Sequence, residues 1–197
     1  MKNWIYILKI LVPGLLLGTM MGSAQSQPST DELVKNPSFH ILVNHEQKIP
    51  STGTFDFDTK LFKIDYKKEF DLHVVDQRIV GALETGFNRK GLKYDSKKPD
   101  LFVSYAVAFD AGLTGAEFNA AYATEFPISV PEPEPGQELN YHQGTLIVDV
   151  VDAKSRILLW RGSIMVKLDM DISEADKDRR VQHIVRVLLE HFPNAKL

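Results

Sequence analysis

The residues best placed to do chemistry lie in and around "GTLIVDVVDAKSRILLWRGS", Gly144 to Ser163. Asp149 interrupts an apolar run there, and Trp160 follows on the next predicted strand. Tyr105 sits inside a second apolar run, "LFVSYAVAF", residues 101–109. A carboxylate among apolar side chains needs a partner, because stranding a charge away from water is costly. An arginine, backbone amides or an indole N–H can supply one. Structural satisfaction is the favoured reading of Asp149. The hydroxyl of Tyr105 is likewise read as capping the edge of a core. The alternative is a hydrolase using Asp149 with Tyr105, Trp160 and a nearby histidine. Its only motive is that acid–base catalysts are tuned in such apolar settings.

Other constellations are weaker. The six histidines are His40, His45, His73, His142, His183 and His191. His40 and His45 are five apart on a predicted strand and so point to opposite faces. His183 and His191 are eight apart on a predicted helix, too far to share an ion. No H-E-x-x-H spacing occurs, so the histidines read as solvated or core residues. Asp56 and Asp58 share a strand face and could hold a hard cation, but a solvated edge strand explains them as well. There is no nucleophile elbow, phosphate loop or dinucleotide fingerprint. Gly112 and Gly115 in "DAGLTGAEF" lack the lysine and spacing of a phosphate cradle. With no cysteine, thiol catalysis, cysteine zinc sites and a lipid-modified N-terminal cysteine are excluded. No metal and no cofactor is expected.

The chain has 197 residues, of which 44% are hydrophobic and 25% charged. That is the make-up of an ordinary globular protein. Its start departs from this. Lys2 and Lys9 form a basic region, Ile10 to Met21 an apolar run, and Gly22-Ser23-Ala24 a small-residue cleavage site. Residues 1–24 read as a secretory signal, because the run is shorter than the ~20 residues of a spanning helix. Without it, 21 basic residues remain against 26 acidic ones, a net charge of −5. A mildly acidic surface with no dense Lys/Arg cluster argues against a nucleic-acid partner. The expected location is the periplasm or outer-membrane periphery.

These candidate residues need a scaffold. Residues 25–37 read as a flexible lead-in, and 38–197 as one domain. "SFHILVNH" (38–45) and "GTFDFD" (53–58) read as strands. Asp71 to Lys90 reads as a helix, with Val75, Ile79, Leu83 and Phe87 on one face and Gly91 as its stop. Gly81 and Gly86 each weaken it by ~1 kcal/mol relative to Ala, so packing must hold it; they also allow a close backbone approach. The run 101–109 reads as an interior strand. Residues 110–143 form a long loop, broken by prolines 127, 131, 133 and 135. Taking Asp152 to Ser155 as a turn, Val151 faces Arg156, Asp149 faces Leu158 and Ile147 faces Trp160. A final helix starts at Ser173, with Val181, Ile184, Val185, Leu188 and Phe192 on one stripe.

The expected architecture is α/β, of the α+β type: a two-layer mixed sheet of about five strands with two helices packed on one face. Two helices cover one face only, yet the middle strands are apolar on both. The second face then calls for a cover: the loop 110–143, a second copy of the chain as a homodimer, or an apolar ligand. Large exposed apolar patches mark interaction sites, which makes that face, or the acidic loop 110–143, the expected recognition surface.

Longer stretches carry a family resemblance. "VVDQRIVGALETGFNRKGLKYDSKKPDLFVSYAVAF", then "GTLIVDVVDAKSRILLWRGS" and a last helix ending "HFP", resemble domain-of-unknown-function family 4136, bacterial envelope proteins that are mostly lipoproteins. The matching pieces are Lys90-Gly91-Leu92, Pro99-Asp100-Leu101 with Tyr105, Gly144-Thr145-Leu146, Asp149, Val151-Asp152-Ala153-Lys154, Trp160-Arg161-Gly162 and Phe192-Pro193. The likeness covers roughly residues 38–193. The resemblance implies an envelope protein and brings no catalytic assignment. Members commonly carry a lipid-modified cysteine after the signal, and this chain departs from that pattern; it is expected to be soluble in the periplasm or held by a partner. The expected function is a non-catalytic binding or assembly module. Its partner is an envelope protein or a lipid-like ligand, with Tyr105, Asp149 and Trp160 as candidate binding residues.

Overall fold

Alternation along the central strand decides the layers. Leu101, Val103, Tyr105 and Val107 are all buried in one core, and the residues between them point to the opposite face. A computed structural model describes residues 29, 33–58, 63–65, 71–110, 142–168 and 171–193. The elements are β1 (Lys35–Val43), β2 (Gly53–Phe57), β3 (Lys63–Asp65), α1 (Leu72–Arg89), β4 (Leu92–Tyr94), β5 (Leu101–Asp110), β6 (His142–Asp152), β7 (Leu158–Leu168) and α2 (Glu174–Glu190). The expected signal, residues 1–24, lies outside the described residues, as does most of the expected lead-in. So does nearly all of the expected loop: Asp110 closes β5, and His142 and Gln143 open β6.

The sheet order is β1-β7-β6-β5-β2-β4, with β3 pairing β5 as well. β2 runs parallel to β5 at residues 101–103 and β3 at residues 106–108. Seven strands therefore fill six positions, a mixed sheet with β1, β7, β6 and β5 antiparallel in turn. The two strands beyond the expected five are β3 and β4, each three residues long. Both helices contribute to the core on one face, as expected of a two-layer α/β arrangement. Among the described residues no helix is long and apolar enough to cross a membrane.

The β6–β7 hairpin corrects the expected register. Asp149 faces Arg161 rather than Leu158, and Ile147 faces Ser163 rather than Trp160. The turn is wider than four residues. The Asp152 carboxylate accepts from the amides of Lys154 and Ser155 at 3.1 and 2.6 Å, and Arg156 adopts a left-handed φ of 59°. A bulge then sets Val151 against Leu158 but Val150 against Trp160, so Leu159 is the extra residue. The faces change accordingly: Leu146, Val148 and Val150 join Trp160, Ile164 and Val166 under the helices.

The second face is not bare. Ala106, Ile147 and Val151 are buried there, as are Ser104, Arg161 and Ser163. The exposed large hydrophobics among the described residues are Tyr94 and Ile157, at an edge strand and a turn. Among the described residues this face therefore shows no large exposed apolar patch.

Helix α1 shows why its two glycines differ. A Cβ at Gly86 would lie 2.5 Å from Leu189 Cδ1, so α2 crosses closely there. A Cβ at Gly81 would meet nothing within 4 Å. Gly81→Ala is expected to stabilise the fold by ~0.5–1 kcal/mol through helix propensity. Urea denaturation checks this, and a loss of stability would contradict it.

Candidate ligand cavity

Helices α1 and α2 run parallel, their N-termini at one end of the sheet. Asp71 caps α1 by accepting from the amides of His73 and Val74 at 3.1 and 3.3 Å. Ser173 caps α2 by accepting from the Asp176 amide at 3.1 Å. The C-terminal halves pack tightly. Gly86 admits Leu189, and Phe192 meets Phe87 and Trp160 edge-on, with ring centroids 5.4 and 5.2 Å apart. Toward the N-termini a long side chain spans the two helices: Arg78 reaches Glu174 at 2.6 Å and also pairs with Asp178.

Beneath that bridge lies a cavity of about 380 Å³. Val107, Leu146, Ile164 and Val166 form its floor, and Val75, Ile79, Val181 and Ile184 its walls. Asp71, Arg78, Glu174, Lys177 and Arg180 supply the charged groups around it. Cavities that take small molecules measure ~300–1,000 Å³ and are mostly apolar with a few placed polar groups.

Electrostatics at the mouth centre on Glu174. Hydrogen bonds from Lys177, at 2.7 Å, and then from Arg78 hold its carboxyl down at about 2, against an ordinary 4.5. A carboxyl held low in the folded state adds stability above its unfolded value, and that contribution is lost as pH falls through the folded one. Glu174→Gln is therefore expected to flatten the stability profile between about pH 4.5 and pH 2 and to leave its shape above 4.5 unchanged. The group is exposed, so the effect is small and salt-screened. Acid titration of both proteins by circular dichroism tests this, and superimposable acid limbs would contradict it.

The residues singled out in the sequence do not converge on this cavity or on each other. Tyr105 and Trp160 are buried on the helix face. The Tyr105 hydroxyl donates to Asp76 of α1, tying helix to sheet. The indole N–H of Trp160 finds no acceptor among the described residues. Asp149 lies on the opposite face, held by the Arg161 guanidinium through two hydrogen bonds, both 2.5 Å. An arginine is thus the partner Asp149 required, and the hydrolase alternative needs three groups that sit on two sides of the sheet.

The remaining candidates scatter. His45 lies beyond the end of β1, not on the strand with His40. His183 is buried beside Arg186, and the His191 ring packs 4.7 Å from Phe39. Asp58 pairs with Arg156 at 2.8 Å, and Asp56 accepts from the Phe57 amide. Among the described residues no group of three His, Asp or Glu could hold a metal ion.

The cavity is not legible in the sequence because its walls are the same Val and Ile stripes that mark a core. One signal was available. Arg180 stands one turn before Ile184, on the side of α2 that should be apolar, and it is buried.

Fold and cavity together define a two-layer mixed α/β protein with an apolar pocket between a pair of parallel helices and the sheet. The chain belongs to the family described as Domain of unknown function (DUF4136), whose profile matches residues 43–194. No curated protein matches it. Among solved structures it is similar to a PDZ domain protein from Parabacteroides distasonis, with TM-score 0.47 and 17% identity over 84% of this chain. This chain spans only 39% of that protein's length. It is also similar to two structures of the PelC dodecamer from Paraburkholderia phytofirmans, with TM-scores 0.44 and 0.42 and identities of 6% and 9%. Each of those covers 78% of this chain, and 94% and 95% of its own. These are distant likenesses of shape.

Proposed function

We propose that this protein is a non-catalytic binding module of the bacterial cell envelope whose ligand is lipid-like and enters the cavity between the helices and the sheet. The supporting observation is the cavity of about 380 Å³ with its aliphatic floor and walls. Pockets that take small molecules are concave and mostly apolar with a few placed polar groups, and this one has that lining. The basic, apolar and small-residue order of residues 1–24 supports export, which brings the protein to membranes where such ligands occur.

The test is a chain-length series. Each methylene buried contributes ~0.8 kcal/mol, so affinity for 1-alkanols from hexanol to decanol is expected to rise about fourfold per carbon until the space is full. Val181→Trp, placed in the cavity wall, is expected to abolish binding while the protein stays folded. Isothermal calorimetry reads both. No binding at any length, or undiminished binding by Val181→Trp, would overturn the proposal.

A further inference from the structure

Charge around the cavity is already balanced within the protein. Arg78, Lys177 and Arg180 stand against Asp71, Glu174 and Asp178, and each of the six is engaged. Arg78 bridges Glu174 and Asp178, and Lys177 pairs with Glu174 at 2.7 Å. Arg180 is buried and has a partner of its own, while Asp71 is committed to capping α1. The partial positive charge at the two helix N-termini is met in the same way, by Asp71 on α1 and by Glu174 and Asp176 in the first turn of α2. Hydrogen bonds from Lys177 and then Arg78 hold the Glu174 carboxyl down at about 2, so its pairs persist across the ordinary pH range.

With the cavity taken as the ligand site, the geometry points to an uncharged lipid as its occupant, an aliphatic chain carrying at most a hydroxyl group at the mouth. A charged head has two courses there, and each lowers affinity. It can enter, leaving its hydration shell for groups whose charges are already matched, and a charge buried without a free partner is costly. Otherwise it stays in water and holds the near end of its chain outside the cavity. Each methylene withdrawn loses about fourfold in affinity, so withdrawing two loses more than tenfold. A hydroxyl avoids both. It accepts one hydrogen bond from water, or donates one to a carboxylate, which has acceptor positions beyond those its cations fill. No ion pair is broken.

Three ligands of equal chain length separate the charge from the chain: decanol, decanoate and decyltrimethylammonium, measured by calorimetry below their micelle concentrations. Decanol is expected to bind at least tenfold tighter than either ion. Glu174→Gln takes the carboxylate from Lys177 and one of two from Arg78, which leaves a cation for an incoming carboxylate. The variant is expected to narrow decanol's advantage over decanoate severalfold, and its binding of decanol shows that it folds. Equal affinity for the three ligands, tighter binding of either ion, or an unchanged decanol-to-decanoate ratio in Glu174→Gln overturns the assignment of an uncharged ligand and leaves the cavity reading intact. Failure of all three to bind overturns the cavity reading as well.

Discussion

Asp149→Ala is expected to lower the free energy of unfolding by about 3 kcal/mol. The pair it breaks is unequal. The Arg161 side chain is 7% exposed and that of Asp149 18%, so removing the acid takes the carboxylate partner from the deeper charge. Removing one partner of a buried pair costs ~3–5 kcal/mol, and the partial exposure of Asp149 places this case at the low end. Arg161→Met should cost less, because the carboxylate left behind retains some access to water. The double variant Asp149→Leu with Arg161→Met should recover most of the loss, since matched apolar replacement of an ion pair is often near neutral. Urea denaturation of the parent protein, Asp149→Leu, Arg161→Met and the double variant forms a double-mutant cycle. A single-variant cost below ~1 kcal/mol, or strictly additive losses, would show that the pair does not anchor this face.

The second large effect centres on Trp160, fully buried over Gly162 and against Phe192. Truncating a buried aromatic to Ala costs ~3–5 kcal/mol, and Trp160→Ala is expected in that range. Gly162 must stay bare for the indole to lie across it. A Cβ there would approach the ring to 2.3 Å and Leu188 Cδ1 to 2.9 Å. Gly162→Ala should therefore cost ~1–3 kcal/mol by overpacking. In the double variant the new methyl occupies space the indole has left, so the combined loss should fall short of the sum by ~1 kcal/mol or more. Full additivity would mean that the two residues do not share one packing site.

Those two residues also mark what the sequence could and could not say. The helices were legible to within a residue or so, because four-residue spacing and local stop and cap signals define them: 71–90 was expected and Leu72–Arg89 is found. The central strand was equally plain. β3 and β4 were not, because each has only three residues and exists through pairing with distant strands. The hairpin register escaped for another reason. It is set by hydrogen bonds to the Asp152 carboxylate, a left-handed Arg156 and the extra residue Leu159, none of which alternation reveals. That one slip moved Val148 and Val150 to the wrong side and hid Arg161 as the partner of Asp149. The cavity was least legible of all. Whether a stripe of Val and Ile closes on its neighbours depends on how far two helices diverge. Here Gly86 lets them come close at one end, and the long side chain of Arg78 bridges them at the other.

Where an apolar ligand goes can be read directly from side-chain methyl groups. In a methyl-labelled sample, saturating decanol is expected to move the NMR signals of Val107, Val166, Val181 and Ile184, which line the cavity. The signals of Val103 and Leu92, buried in the same core away from it, should stay in place. Shifts confined to Ile147 and Val151 on the opposite face, or no shifts at saturation, would contradict it.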